Sequence, residues 1–147
     1  MNLDVKLRWN EHVKKKVEEL NIKLRKMYWL LGGHSELATD SKLLLYTQVL
    51  RPVWAYGIQI WGCTKKNHTE KIQRFQNKVS RSIANAPRYV RVTDLHGDLD
   101  VEMVTDIIKK HADSHKRRLE QHINEEASRL RRLKRVKPFE LTTTTDD

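Results

Sequence analysis

At 147 residues with five Gly and three Pro, the chain fits one packed domain, or one compact domain with an appended helix, and has too few turn-formers for a many-stranded sheet. Its 29 Lys and Arg against 19 Asp and Glu, a formal charge of +10, point to a polyanionic partner, because cations that contact phosphates release counterions. DNA or RNA comes first and an anionic membrane surface second. Lone Cys63 excludes an intramolecular disulfide and the opening MNLDVKLRWN lacks an apolar signal core, so a reducing compartment, nuclear or cytoplasmic, is expected.

In chain order, Leu3, Val5 and Leu7 alternate with Asp4, Lys6 and Arg8, which suggests a short extended lead-in with no sheet to join. Asn10 then stands as an N-cap with Glu11 in the first turn. Val13, Val17, Leu20, Leu24, Met27 and Leu31 recur at steps of four and three up to Gly32-Gly33, the pattern of one long amphipathic helix. Ile22 and Trp29, seven apart on the other side, give that helix a second apolar face that something beyond its hairpin partner should cover.

A second helix is expected from Thr39 or Asp40, through Leu43, Leu44, Tyr46, Leu50, Val53, Trp54, Gly57, Ile60 and Trp61. It is apolar nearly all round, with Pro52 kinking or dividing it. The stretch from Leu43 to Cys63 is not a membrane span, since it holds Gln48, Arg51, Pro52 and Gln59 and a mid-span Arg costs roughly 2.5 kcal/mol or more. A buried central helix is the expectation. After a polar turn at Lys65-Lys66, Asn67 and Glu70 have the spacing of a capping box. Ile72, Phe75, Val79 and Ile83 form a single stripe on a third helix that ends before Pro87.

Residues 85 to 100 look like a connector with one helical turn at Thr93 and form the best internal boundary. From Asp100, as its cap, a long helix carries Val104, Ile107, Ile108, His111, Leu119 and Ile123 on one side, as far as Leu133. Eleven Lys or Arg and four Asp or Glu stand between Lys109 and Lys137, so the positive field is concentrated at this end. Pro138 stops the helix, and Thr142 to Asp147 is a low-complexity tail with nothing to bury, expected to be disordered.

No catalytic constellation is legible. Asp146-Asp147 is the sole Asp-Asp pair, but a Thr-rich terminus gives it none of the rigid support that a metal site needs. Asp98 and Asp100 flank Leu99, yet capping accounts for Asp100. His111 and His115, one turn apart, have the spacing of two zinc ligands, with His122 about two turns further on. They lack the Glu of the zinc-protease signature, and half-buried polar residues on a helix face explain them as well. Cys63 is read as a buried thiol beside Trp61 rather than as a nucleophile. No metal or other cofactor is expected.

What remains is basic clusters: Lys14-Lys15-Lys16, Arg25-Lys26, Lys78 with Arg81, and Arg131-Arg132-Leu133-Lys134-Arg135. Each by itself also fits a solvated face, and the last also fits a nuclear-import signal, but their sum favours backbone contact with nucleic acid. Lys15, Lys16, Lys78, Arg81, Arg131, Arg132, Lys134 and Arg135 are the candidate binding residues. No motif reads base edges, so binding should be electrostatic and sequence-tolerant. The alternative is a protein-interaction or self-association module using Ile22 and Trp29.

Segments 26 to 62 (KMYWLLGGHSELATDSKLLLYTQVLRPVWAYGIQIWG), 70 to 90 (EKIQRFQNKVSRSIANAPRYV) and 131 to 141 (RRLKRVKPFEL) resemble successive pieces of jockey-clade non-LTR retrotransposon reverse transcriptases. Leu3-Asp4, Trp9 and His12 are similar to the motif with which that family leaves its palm domain. The resemblance covers nearly the whole chain, and its central motif runs from Leu44 through Pro52 to Tyr56-Gly57 and Trp61-Gly62. It implies a region after the catalytic domain. Residues 1–9 would be the remnant of the palm exit, 10–87 a thumb-like helical bundle, 88–138 the connector and long basic helix, and 139–147 the tail. The implied fold is all-α and the implied ligand is a template–primer duplex or RNA. The parent's RNA-directed DNA polymerase activity and its Mg²⁺-binding Asp pair would lie outside this sequence. His122-Ile123-Asn124 departs from the family, where Pro commonly separates His and Asn, so the long helix would continue where relatives turn.

Overall fold

The computed structural model describes residues 9–62 and 65–121, and the regular elements among them are all helical. The expected lead-in before Trp9, Cys63, the helix beyond Gln121 with His122 and the 131–135 cluster, and the tail with Asp146-Asp147 all lie outside the described residues. The chain divides into two compact units, residues 1–109 and 110–147. The division falls inside the last helix, whereas the expected connector, 85–100, packs into the first unit.

Helix α1, Asn10–Leu31, buries Val13, Leu20, Leu24 and Leu31 on the stripe that the spacing announces. Asn10 is not its N-cap. Trp9 holds that position, with its carbonyl accepting from the Val13 amide at 2.9 Å, and the Asn10 side chain instead accepts a hydrogen bond from Lys71 Nζ at 3.1 Å. An amide drawn to a neighbouring helix is no longer free to cap its own. Helix α5, Lys66–Ala84, also starts early, by two residues, from Lys65 and with no side-chain cap. Glu70 lies 4.0 Å from Lys66 in an exposed ion pair, so Asn67 and Glu70 form no capping box.

Between α1 and α5 the chain passes through α2 (Thr39–Leu45), a π-helical turn (Tyr46–Leu50), α3 (Arg51–Ala55) and α4 (Ile58–Trp61). Its buried apolar residues are Tyr46, Leu50, Trp54, Ile58 and Trp61, mostly four apart. On a helix of 3.6 residues per turn a four-residue step drifts about 40°, so an unbroken helix would carry this stripe off the core. The wide π turn, immediately before Pro52, takes up the extra residue, and it does so where the proline ring would clash with the carbonyl four residues back. The second break falls at Gly57, whose φ of 70° is the left-handed conformation that glycine tolerates. Trp61 Nε1 donates to the Tyr56 carbonyl at 3.1 Å beside that break. The expectation of a central helix buried all round is corrected here. Leu44 and Tyr56 are exposed, because the re-phased stripe presents one face only.

Helices α1 and α5 run in the same direction, joined near their starts by Asn10 and Lys71 and near their ends by Gly33 and Asn85. A Cβ on Gly33 would collide with Asn85 Oδ1, so glycine permits this closure. The middle segment returns between them, since it starts beside the end of α1. There the ammonium of Lys42, 4% exposed, donates to the Gly32 carbonyl at 2.9 Å and the Ser35 carbonyl at 3.4 Å. A cation at a helix C-terminus meets both orphan carbonyls and the negative end of the dipole.

After α5, helix α6 (Val92–Asp98) replaces the single expected turn and buries Leu95. Asp100 does not cap the next helix. It sits in the left-handed region at φ 50°, and α7, Val104–Glu120, begins four residues later. Its first amide, Val104 N, donates instead to Gln73 Oε1 of α5 at 2.8 Å, while Gln76 Nε2 donates to the Glu102 carbonyl at 2.8 Å. Polar side chains of α5 therefore fix the start of α7. Val104 and Ile107 join the core; His111, His115 and Leu119 are half-buried. No helix among the described residues is long and apolar enough to cross a membrane.

Two outcomes follow from buried polar groups. Replacing Lys42 by Met, a gain by hydropathy alone, should instead cost about 1–3 kcal/mol in urea unfolding, because two carbonyls lose their donor. Burial pushes the Tyr46 phenol up to about 12 against the opposing pull of Arg51. The unfolded chain then releases this proton near pH 10 while the folded chain keeps it, so stability is full below pH 10 and falls as pH rises towards 12. The loss amounts to about 2–3 kcal/mol. Unfolding followed across that window should show Tyr46→Phe with the shallower decline.

Candidate nucleic-acid interface

Of the expected binding residues, Lys15, Lys16, Lys78 and Arg81 lie among the described residues, and they differ in their surroundings. Lys15 is exposed and stands seven and fourteen residues before Ile22 and Trp29, on their line along α1. The Lys16 ammonium is held by Glu19 at 3.2 Å, and Lys23 lies 3.4 Å from the same carboxylate, which together keep the Glu19 carboxyl below its usual range. Arg81 is committed to structure: Nη1 donates to the Pro87 carbonyl and Nη2 to the Val90 carbonyl, both at 2.8 Å. Arg131, Arg132, Lys134 and Arg135 lie outside the described residues.

Lys78 belongs to a different arrangement. An open groove of about 700 Å³ between α1 and α5 is lined by Glu18, Asn21, Ile22, Leu24, Arg25, Tyr28 and Lys78. Arg25 and Lys78 are exposed and neither is held in an ion pair among the described residues. The seven-residue spacing of Lys14, Asn21 and Tyr28 extends this flank along α1, and Lys71, Arg74 and Lys78 extend it along α5. Glu18 is the one carboxylate in the lining. The groove thus carries rigid, helix-borne cations on its flanks. Its membership was half-legible. Arg25 stands out as a basic residue, but that it faces Lys78 follows from the parallel run of α1 and α5, which no spacing within either helix reveals.

Other candidates carry no comparable chemistry. A smaller cavity of about 340 Å³ is lined by Tyr46, Thr47, Arg51, Gln76, Asp100, Val101, Glu102 and Ile107. Arg51 lies 3.7 Å from Glu102 there. Among the described residues no group of three or more His, Cys, Asp or Glu could hold a metal ion. His12, 3% exposed, packs edge-on against Trp9 with ring centroids 5.7 Å apart, and burial together with Lys16 lowers its pKa. That is the environment of a core histidine.

No protein-family model matches the chain, and no solved structure matches it significantly. It is 43% identical over 147 residues to a probable RNA-directed DNA polymerase from transposon X-element of Drosophila melanogaster, covering 96% of this chain and 16% of that protein. The corresponding protein from transposon BS of the same species is 36% identical over 141 residues, 92% of this chain and 16% of its own length. The RNA-directed DNA polymerase from mobile element jockey of Drosophila funebris is 32% identical over 154 residues, 95% of this chain and 17% of its own. The homologues of this chain are RNA-directed DNA polymerases of jockey-like non-LTR transposons. The chain spans about one sixth of the length of these relatives. The jockey resemblance carried by the segments from Lys26 to Gly62 and from Glu70 to Val90 is therefore borne out, on a scaffold whose regular elements among the described residues are all helical.

The jockey-related chain should tolerate loss of Arg81 as a phosphate contact but not as a fork. In Arg81→Ala, stability should fall by about 1–3 kcal/mol as two charge-assisted hydrogen bonds go. Hydrogen exchange should quicken at residues 87–91, and the salt slope of duplex binding should stay unchanged.

Proposed function

We propose that this chain is a non-catalytic, nucleic-acid-binding relative of the jockey-type reverse transcriptases, equivalent to the helical thumb and the region after it. It would grip template–primer duplex or RNA through cations on its helices. The observation that carries this reading is the pair Arg25 and Lys78, unpaired and exposed on opposite walls of one groove. The relatives' names supply the chemistry, since an RNA-directed DNA polymerase handles both nucleic acids. The formal charge of +10 supplies the field. The basic run from Arg131 to Arg135 would add contacts of the same kind. Polymerisation by the parent would use Mg²⁺ held by carboxylates, and the described residues bring no such cluster together.

A second reading has one observation in its favour. Ile22 and Trp29 are 50% and 74% exposed on one line of α1, a surface suited to another protein or a second copy. Sedimentation of the wild type beside Trp29→Ser separates the two, since a monomer in both removes the case for association.

The binding reading is tested by affinity across a salt series on unrelated duplexes. Lys78→Ala should lower the slope of log affinity against log salt by about 0.9, and replacing Arg131, Arg132, Lys134 and Arg135 together should lower it by about three to four units. All duplexes should weaken alike while the helical signal persists. In primer extension with dNTPs and Mg²⁺ the chain should yield no product, and robust extension would sink the non-catalytic assignment.

A further inference from the structure

Two exposed tyrosines stand beside the cations at the same end of the bundle, and neither the buried core nor phosphate attraction accounts for them. Tyr28, 56% exposed, lines the α1–α5 groove next to Arg25 and across from Lys78. A Cβ on Gly32 would lie 3.5 Å from Tyr28 Cε1, so the ring rests beside the bare Cα of that glycine. Tyr89, 87% exposed, sits with Arg88 on the tip of a turn whose Val90 amide donates to the Pro87 carbonyl at 3.2 Å. The Arg81 fork fastens both ends of this turn, at Pro87 and Val90, and Arg91 follows it. An aromatic side chain left in water on a backbone clamped by a guanidinium is presented rather than buried. The approach of Gly33 to Asn85 places the end of α1, which carries Tyr28, beside the end of α5, from which the turn departs.

Resting on the nucleic-acid reading above, we propose that this end of the bundle binds single-stranded RNA or DNA, with bases stacking on Tyr28 and Tyr89 while Arg25, Lys78, Arg88 and Arg91 follow the phosphates. A duplex offers its charge but keeps its base faces stacked inside. An unpaired strand offers both, and a positive surface with fixed aromatic faces suits it. Stacking needs no particular base, so sequence tolerance is retained. Glu18 at the groove lining limits the strand to the Lys78 side. Arg81 acts here as a positioning residue, through the turn and not through phosphate.

The full chain is titrated with labelled oligo-uridylate, oligo-thymidylate and a duplex of the same length. Tyr28→Leu and Tyr89→Leu keep apolar bulk but remove the π face. Each should weaken single-strand affinity by roughly five-fold or more and leave the duplex nearly unmoved, while Tyr28→Phe and Tyr89→Phe retain wild-type affinity. Arg81→Ala should reproduce the Tyr89→Leu loss on single strands. Equal binding of single strands by wild type and both Leu variants overturns the proposal. If Lys78→Ala still weakens every ligand in that case, the electrostatic reading stands without it. Absence of binding to any of the three ligands overturns both. The RNA and DNA arms decide which strand is preferred. A dimer that Tyr28→Leu converts to monomer with unchanged nucleic-acid affinity would assign the groove to a second copy and also overturn the proposal. Both tyrosines are more than half exposed, so the folded state is expected to survive; should one Leu variant lose its helical signal, its Phe partner and the other tyrosine carry the test.

Discussion

Burial of one stripe, Tyr46, Leu50, Trp54, Ile58 and Trp61, between α1 and α5 is the constraint from which the rest of the first unit follows. Each large apolar side chain taken fully out of water contributes about 1.5–3 kcal/mol, and five on one segment outweigh the cost of breaking a helix. The backbone therefore bends to the stripe. The π turn before Pro52 and the left-handed Gly57 re-phase the segment so that all five side chains face inward. That segment packs against both α1 and α5, which lie side by side in the same direction, and the groove that holds Arg25 and Lys78 is a by-product of that geometry.

Polar side chains secure what the stripe arranges. Lys42 closes the end of α1, Gln73 and Gln76 hold the approach to α7, and Arg81 ties down the turn after α5. His96 adds to the same work, with one ring nitrogen 3.0 Å from the Val101 carbonyl and the other 3.0 Å from Asn77 Oδ1. Hydrogen bonds of this kind satisfy carbonyls and amides that irregular backbone leaves open, and losing a buried one costs more than making it gains. A charged residue can thus be structural although its type suggests a ligand contact. On α5, Arg81 is held in this way, whereas Lys78, three residues before it, stays exposed in the lining of the groove.

The relationship to transposon polymerases gives this division a context. Handling nucleic acid without reading its sequence calls for cations on a rigid frame, because phosphates repeat whatever the bases are. Helices α1 and α5 are such a frame. Ile22, itself part of the groove lining, and Trp29 are exposed along one line of α1, so one helix serves the core, a charged groove and an apolar strip at its edge.

The helical class, the stripes Val13 to Leu31 and Ile72 to Ile83, the end of α1 at Gly32 and the family were all legible in the sequence. Periodicity and local breakers act within one element and need no knowledge of neighbours. The jockey resemblance rested on the identity of residues such as Pro52, Tyr56-Gly57 and Trp61-Gly62. Helix caps failed wherever a side chain found a partner on another element. Asn10 went to Lys71, and Gln73 took the place expected of Asp100. The placing of the cations was decided in the same way. Arg81 is engaged by carbonyls six and nine residues ahead, and Lys78 is brought into one groove lining with Arg25 by helix pairing. Sequence alone determined which residues are cationic and which face of each helix is apolar. Only the packing of helices decided which cations stay free, because a charge pairs with whatever the fold brings within about 4 Å, and that distance is set between elements rather than along them.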